Sequence, residues 1–92
     1  MSDQTKANGQ FLVTNPLGLH VRSAAAILKT LTPFRSRVTL AAGGVEADAR
    51  SMLQLLELSA SQGTLLAAEA EGPDAEAALA ALGALVARNF DE

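Results

Sequence analysis

Two adjacent glycines, Gly43 and Gly44, limit the fold of this chain more than any other feature of its sequence. They stand between two short runs of strand-forming residues, Arg37 to Ala41 and Val45 to Ala49. A Gly-Gly pair in this setting is typical of a two-residue β-hairpin turn, because both central residues of such a turn need positive φ. The sequence therefore predicts an antiparallel pair of strands near the middle of the chain.

Strand and helix patterns alternate on both sides of this hairpin. Short strands are predicted at residues 10–14 and 64–71. Helices are predicted from Val21 to Leu31, directly after Ser51, and directly after Asp74. The resulting order, βαββαβα, predicts an α+β fold with three helices on one face of a four-stranded antiparallel sheet.

The length of 92 residues predicts one domain, residues 1–92, in which about the first nine residues form a loosely held polar tail. The start of the chain lacks the apolar core of a signal peptide. The longest uninterrupted apolar run, Ala77 to Ala87, has about half of the roughly 20 residues that a membrane helix needs. We therefore expect a cytoplasmic protein without membrane insertion.

Composition argues against several classes of function. The formal net charge is −3 and the seven basic residues are scattered, which is not typical of a nucleic-acid-binding protein. The chain has no tryptophan or tyrosine on which bases could stack. It also has no cysteine and only one histidine, so neither a thiol nucleophile nor a metal site is expected.

That single histidine, His20, lies immediately before the first predicted helix. The backbone N–H groups of Val21, Arg22 and Ser23 would then lack partners within the helix, and together with the helix dipole they would form an anion site. A neutral imidazole beside such a site can accept a phosphoryl group, whose charge Arg22 can neutralise. The alternative is an ordinary surface or capping histidine at a helix start.

The segment from Gly18 to Ala24, GLHVRSA, resembles the active-site signature of the HPr family, which usually reads GLHARPA. These are the histidine-containing phosphocarrier proteins of the bacterial phosphoenolpyruvate-dependent phosphotransferase system. The length, the order of elements and the segments RSML and SQGT are similar as well. The resemblance implies an open-faced β-sandwich that carries a phosphoryl group on Nδ1 of His20, with Arg22 as the active-site arginine.

The resemblance also implies partners and leaves two functions open. Phosphorylated enzyme I would be the donor and IIA-type proteins the acceptors, and the carrier itself would need no cofactor. However, Ser23 replaces the usual proline and Val21 the usual alanine. The pattern NxLGLH with a small residue in place of that proline is similar to branches of the family that serve nitrogen-related regulation. The chain would be either a stoichiometric carrier for sugar uptake, not an enzyme, or a regulatory paralogue that binds partners according to its phosphorylation. In a third alternative, a purely structural module, His20 has no chemical role.

Ser51 lies where the family has a regulatory serine, which an HPr kinase/phosphorylase modifies in some bacteria. With Gln54 three residues later, Ser51 also fits a capping box, so a structural role is the alternative.

The helix after Ser51 has five apolar residues in seven positions, too many for one buried face. We expect Met52, Leu53 and Leu56 to form a patch that docks partners beside His20 in a monomeric protein. The alternative is a short helix that is buried on most sides.

Overall fold

The computed structural model of the chain describes residues 5–92, which form one four-stranded sheet and three α-helices. The strands are β1 (Lys6–Leu12), β2 (Arg37–Ala42), β3 (Val45–Asp48) and β4 (Leu65–Glu71). The helices are α1 (Val21–Leu31), α2 (Met52–Glu57) and α3 (Ala75–Ala87), and a short turn at Asn89–Asp91 follows α3. The predicted order of strands and helices is confirmed.

The strands lie in the order β1-β4-β2-β3, and every neighbouring pair is antiparallel. The central strand β4 therefore pairs with β1 on one side and β2 on the other. The predicted hairpin joins β2 to β3 through Gly43 and Gly44, whose φ angles are 56° and 81°. Both glycines have the left-handed backbone that a two-residue turn requires.

One face of the sheet is covered by the helices and the other is open. Along β4, the buried residues Leu66, Ala68 and Ala70 alternate with exposed neighbours, as expected when only one face of a strand is covered. The core that they share with the helices includes Ile27 of α1 and Leu82 of α3. The predicted open-faced α+β architecture is thus confirmed.

The prediction was wrong at the start of the chain. Strand β1 begins at Lys6, so residues 6–9 belong to the sheet rather than to a loose tail. The Asn8-Gly9 pair is typical of a turn in isolation, but here the backbone of both residues aligns with β4. The continuous pairing of β1 with β4 outweighs the low strand propensity of these two residues. Residues 1–4 of the expected tail lie outside the described residues.

Within residues 5–92, no helix has the length and apolar character needed to cross a membrane.

Candidate functional site at the start of helix α1

The loop before α1 is fixed by a close contact at Gly18. This glycine has φ +66°, and a Cβ atom at this position would lie 2.3 Å from the carbonyl oxygen of Ala60. The next residue, Leu19, donates its N–H to the same oxygen at 2.8 Å. Because only glycine fits both the backbone angle and the space, this contact holds the residue that follows, His20, at a defined place against the chain after α2.

His20 is the N-cap residue of α1, and its imidazole acts as the cap. The ring nitrogen Nδ1 accepts the backbone N–H of Arg22 at 3.3 Å. In the reverse direction, the hydroxyl of Ser23 accepts the backbone N–H of His20 at 2.8 Å. The two hydrogen bonds form a capping box that fixes the main chain of His20 and orients its ring. Since Nδ1 accepts a hydrogen bond, it carries a lone pair rather than a proton.

Ser23 is fully buried beneath this arrangement. Its oxygen lies 3.0 Å from the carbonyl of Gly18 and 3.2 Å from that of His20, so its single proton is donated to one of them. Ser23 therefore connects the glycine loop, the histidine and the first turn of the helix. The sequence predicted a phosphate-binding backbone here but not this role for the hydroxyl.

The backbone N–H groups of Val21, Arg22 and Ser23 precede the first regular helical hydrogen bond, which Ala24 makes to the carbonyl of His20 at 2.8 Å. Arg22 donates its N–H to Nδ1 of the imidazole. These donors lie at the positive end of the α1 dipole and next to Nδ1. The arrangement is suited to holding a phosphoryl group on that nitrogen.

The side chain of Arg22 is exposed and makes no ion pair or hydrogen bond with the residues that the structure describes. A guanidinium without a fixed partner can turn towards an anion at the helix start, where two parallel N–H groups can bind phosphate oxygens.

The other face of the imidazole meets a group that the sequence analysis missed. Ring nitrogen Nε2 is screened from solvent and faces the carboxylate of Glu92, which also accepts a hydrogen bond from the side-chain amide of Asn15 at 2.7 Å. Asn15 and Glu92 are 77 positions apart, and no local pattern connects them. The tertiary fold alone brings this carboxylate to His20.

Comparison with known proteins identifies the family. The profile of the family described as "PTS HPr component phosphorylation site" matches residues 7–88, which include the whole histidine site. The chain belongs to the HPr family. The family consists of phosphocarrier proteins of the phosphotransferase system, as the sequence resemblance implied.

Members of the HPr family resemble this chain over most of its length. Phosphocarrier protein HPr of Xylella fastidiosa strain 9a5c is 39% identical over 90% of this chain and 93% of its own. Phosphocarrier protein NPr of Escherichia coli K12 is 41% identical over 87% of this chain and 90% of its own. A crystal structure of HPr-C-His from Thermoanaerobacter tengcongensis superposes with a TM-score of 0.88, at 31% identity, over 94% and 97% of the two chains.

The position of the HPr family's regulatory serine, Ser51, is the N-cap of α2. Its hydroxyl accepts the N–H of Gln54 at 3.2 Å, as predicted. The reciprocal half of the expected capping box is absent, because the Gln54 side chain accepts the N–H of Asp48 at 2.8 Å instead. The adjacent Arg50 donates to backbone carbonyls at the last residue of α1 and in the loop that follows it, including that of Ser36 at 3.0 Å.

The three residues predicted to form the docking patch differ in exposure. Leu53 is 69% exposed, whereas Met52 and Leu56 are partly buried and pack against the core. Two further apolar side chains flank the histidine in sequence and are open to solvent: Leu17 at 72% and Val21 at 63%. The exposure of Leu17 was not predicted, because a single leucine in a turn gives no periodic signal.

No group of three or more His, Cys, Asp or Glu side chains in residues 5–92 is arranged to hold a metal ion.

Proposed function

We propose that this protein is a stoichiometric phosphoryl carrier rather than an enzyme with its own substrate. It accepts a phosphoryl group from phosphorylated enzyme I on Nδ1 of His20 and passes it to IIA-type proteins. One observation supports this most strongly: the lone pair of Nδ1 lies at the N-terminus of α1, beside the backbone N–H groups of Val21, Arg22 and Ser23.

The site's geometry suits acceptance of the group. The N–H of Arg22 that now bonds Nδ1 becomes available to the phosphoryl oxygens when the lone pair of Nδ1 attacks phosphorus. The neighbouring N–H groups of Val21 and Ser23 add further donors, and the helix dipole favours the negative charge. The exposed guanidinium of Arg22 supplies a full positive charge that can follow the group as it enters and leaves.

A carrier that meets a donor and then an acceptor needs a surface that both can use. The exposed side chain of Leu53 and the partly buried Met52 and Leu56 supply apolar area on α2, which packs against α1. Exposed apolar residues beside a reactive group favour contact with proteins, and modest area favours rapid release. We propose that the protein acts in this way as a monomer in the cytoplasm, without nucleic acid or a cofactor.

A second function, regulation in a nitrogen-related phosphotransfer chain, is favoured by the similarity to NPr of Escherichia coli. In that case the output is binding that depends on phosphorylation at His20. Modification of Ser51 by an HPr kinase/phosphorylase belongs to this proposal, because a phosphate there would lie at the N-terminus of α2.

Phosphorus NMR tests the carrier chemistry. The protein is incubated with phosphoenolpyruvate, magnesium and enzyme I, and the His20→Ala variant serves as control. We expect an acid-labile phosphohistidine signal from the native protein alone. Lack of any signal with a demonstrably active enzyme I would refute the carrier proposal and direct attention to Ser51 and nucleotide-dependent kinases.

The Arg22→Ala variant tests the guanidinium. Transfer from enzyme I should slow by roughly tenfold, as expected for the loss of one charge-assisted hydrogen bond, while the fold stays intact. Arg37→Ala is the matched control, because Arg37 is also exposed but lies on β2. Equal transfer rates for the two variants would exclude Arg22 as the electrostatic partner.

Leu53→Glu tests the docking patch. We expect weaker binding to enzyme I with unchanged stability, since Leu53 is already exposed to water. Leu12→Glu is the control, because Leu12 is 51% exposed and lies on β1. Unaltered affinity of the Leu53 variant would argue against the patch.

Assays with sugar-specific and nitrogen-related IIA proteins separate the two candidate functions, according to which acceptor the phosphorylated protein modifies faster.

A further inference from the structure

Three of the seven basic residues meet in one cleft of the folded chain, although they are scattered along the sequence. The cleft has a volume of about 530 Å³ and lies at the end of the sheet where β2 begins and where β3 and β4 end. Within residues 5–92 it is lined by five charged residues: Arg35, Arg37, Asp48, Arg50 and Glu71. We call it the arginine cleft. Since the whole chain has a formal net charge of −3, this gathering of positive charge is a local feature of the surface.

One wall of the arginine cleft is held rigidly by the backbone. The guanidinium of Arg50 donates to the carbonyls of Ser36 at 3.0 Å and Leu31 at 2.9 Å, and also to that of Phe34. These bonds use three of the five N–H groups of the guanidinium, so two remain for a ligand. They also cover carbonyls at the C-terminal end of α1, whose partial negative charge would otherwise repel an anion. The Arg50 side chain therefore presents a fixed positive charge to the cleft.

The other two arginines combine a fixed backbone with an exposed side chain. The carboxylate of Asp74 accepts the backbone N–H of Arg35 at 3.0 Å and that of Ser36 at 2.9 Å, which holds the loop before β2. The side chains of Arg35 and Arg37 are exposed, and neither of the two ion pairs found in residues 5–92 includes them. Because the loop is held and the guanidinium groups are not, these groups can close on an anion without a rearrangement of the fold.

The two carboxylates of the arginine cleft already have positive or hydrogen-bonding neighbours. Glu71 lies opposite Arg37 in the pairing of β2 with β4, and opposite Lys6 in the pairing of β1 with β4. One carboxylate oxygen of Asp48 accepts the backbone N–H of Arg50 at 2.9 Å. Three guanidinium groups against two carboxylates leave the lining with a formal charge of +1. The cleft is thus attractive to anions.

We propose that the arginine cleft binds a compact anion with two or more phosphoryl groups, of which inorganic pyrophosphate is the simplest. A guanidinium group pairs its N–H groups with phosphate oxygens, and three of them around one cleft match the charge of a diphosphate better than that of a single phosphate. The lining side chains are all charged, so they offer no aromatic or apolar surface for a nucleoside. This chemistry favours a small, highly charged ligand.

The arginine cleft is separate from the histidine site. His20 is the N-cap of α1, whereas Arg50 bonds the carbonyl of Leu31 at the other end of this helix. The helix has 11 residues and is therefore about 16 Å long. An anion in the cleft does not occupy the place of a phosphoryl group on His20, and the proposal does not depend on the proposed function of that residue.

A titration of the unphosphorylated protein with sodium pyrophosphate tests the proposal, followed by two-dimensional NMR of the backbone N–H groups. Chloride is adjusted to keep the ionic strength constant, because salt screens exposed charges. We expect the signals of Arg35, Arg37 and Arg50 to shift along one saturable curve. Shifts confined to residues 18–24, or shifts that do not saturate, would overturn the proposal.

Inorganic phosphate tests the size of the anion under the same conditions. It should bind the arginine cleft at least about fivefold more weakly than pyrophosphate, because it can form fewer charge-assisted hydrogen bonds at once. Equal affinities of the two anions would refute the assignment to a diphosphate.

Arg35→Ala tests the cleft itself. The variant keeps the backbone N–H that bonds Asp74, so the fold should be preserved. We expect its affinity for pyrophosphate to fall by about fivefold, as for the loss of one exposed positive charge. Arg22→Ala is the matched control, because it removes an exposed arginine beside His20 and should leave binding in the cleft unchanged. Native affinity in Arg35→Ala, or a loss in Arg22→Ala alone, would contradict the proposal, and neither result would bear on phosphoryl transfer to His20.

Discussion

The hydroxyl of Ser23 offers the sharpest test of how the histidine site is held in place. In a Ser23→Ala variant the backbone N–H of His20 loses its acceptor, and the carbonyl of Gly18 or of His20 loses its donor. A lost helix cap costs about 1 kcal/mol and a second neutral hydrogen bond about the same. We therefore expect a loss of about 2 kcal/mol in the free energy of unfolding.

For a domain of this size, about 2 kcal/mol corresponds to a fall in Tm of roughly 8 to 16 °C. Urea unfolding followed by circular dichroism measures the change, with an unaltered m value as the sign that only stability has changed. Ser61→Ala is the control, because Ser61 is exposed and its hydroxyl bonds no described residue. If both variants unfold at the urea midpoint of the native protein, the capping box does not hold the site.

The Ser23→Pro variant refines this test, because it introduces the residue that the usual signature of the HPr family carries. Proline loses the same hydrogen bonds as alanine, but its ring is tolerated in the first turn of a helix and restricts the unfolded chain. The restriction returns about 0.4 to 1 kcal/mol, so Ser23→Pro should be more stable than Ser23→Ala and less stable than the native protein. A proline variant weaker than the alanine variant would show that the backbone here does not suit proline.

Three further variants test other parts of the structure. Gly18→Ala should destabilise the protein by at least about 2 kcal/mol in urea unfolding, because the added Cβ meets the carbonyl of Ala60 at 2.3 Å and φ is +66°. The hydroxyl of Ser36, together with nearby backbone N–H groups, lowers the pKa of Asp74 in the folded protein. The unfolded state therefore binds more protons than the folded state in the acidic range, and the free energy of unfolding falls as the pH drops through it. In the Asp74→Asn variant, Tm should depend less on pH in the acidic range than it does in the native protein. An equal dependence on pH in both proteins would contradict this role of Asp74. Arg50→Lys should lower the free energy of unfolding by about 2 kcal/mol, since one ammonium group cannot reach the three carbonyls that the guanidinium bonds. A variant as stable as the native protein would refute this role of Arg50.

The sequence predicted the features that depend on local chemistry. The glycine pair at residues 43–44 specified its hairpin, because few other residues accept both φ angles. The position of His20 at the start of α1 followed from the apolar spacing of the helix after it. These predictions needed only neighbouring residues, and they are the ones that the structure matches most closely.

Features that depend on contacts across the fold could not be predicted in this way. Asp74 occupies the N-cap of α3 as expected, but its carboxylate makes no cap hydrogen bond and binds Arg35 and Ser36 instead. The strand signal of β1 was misjudged at Asn8 and Gly9 because its partner is distant in sequence. The same reason hid Glu92, which reaches the histidine only after α3 has packed.

The position of β4 at the centre of the sheet has a consequence for how the chain folds. Among residues 5–92, strand β1 pairs with β4 alone, and the ribosome makes β4 after the first two helices and the hairpin. A nascent chain that ends before Leu65 therefore leaves β1 and one edge of β2 without hydrogen-bond partners. Folding has to close long loops before these contacts form, which places it among the slower mixed α/β domains rather than the microsecond helical bundles.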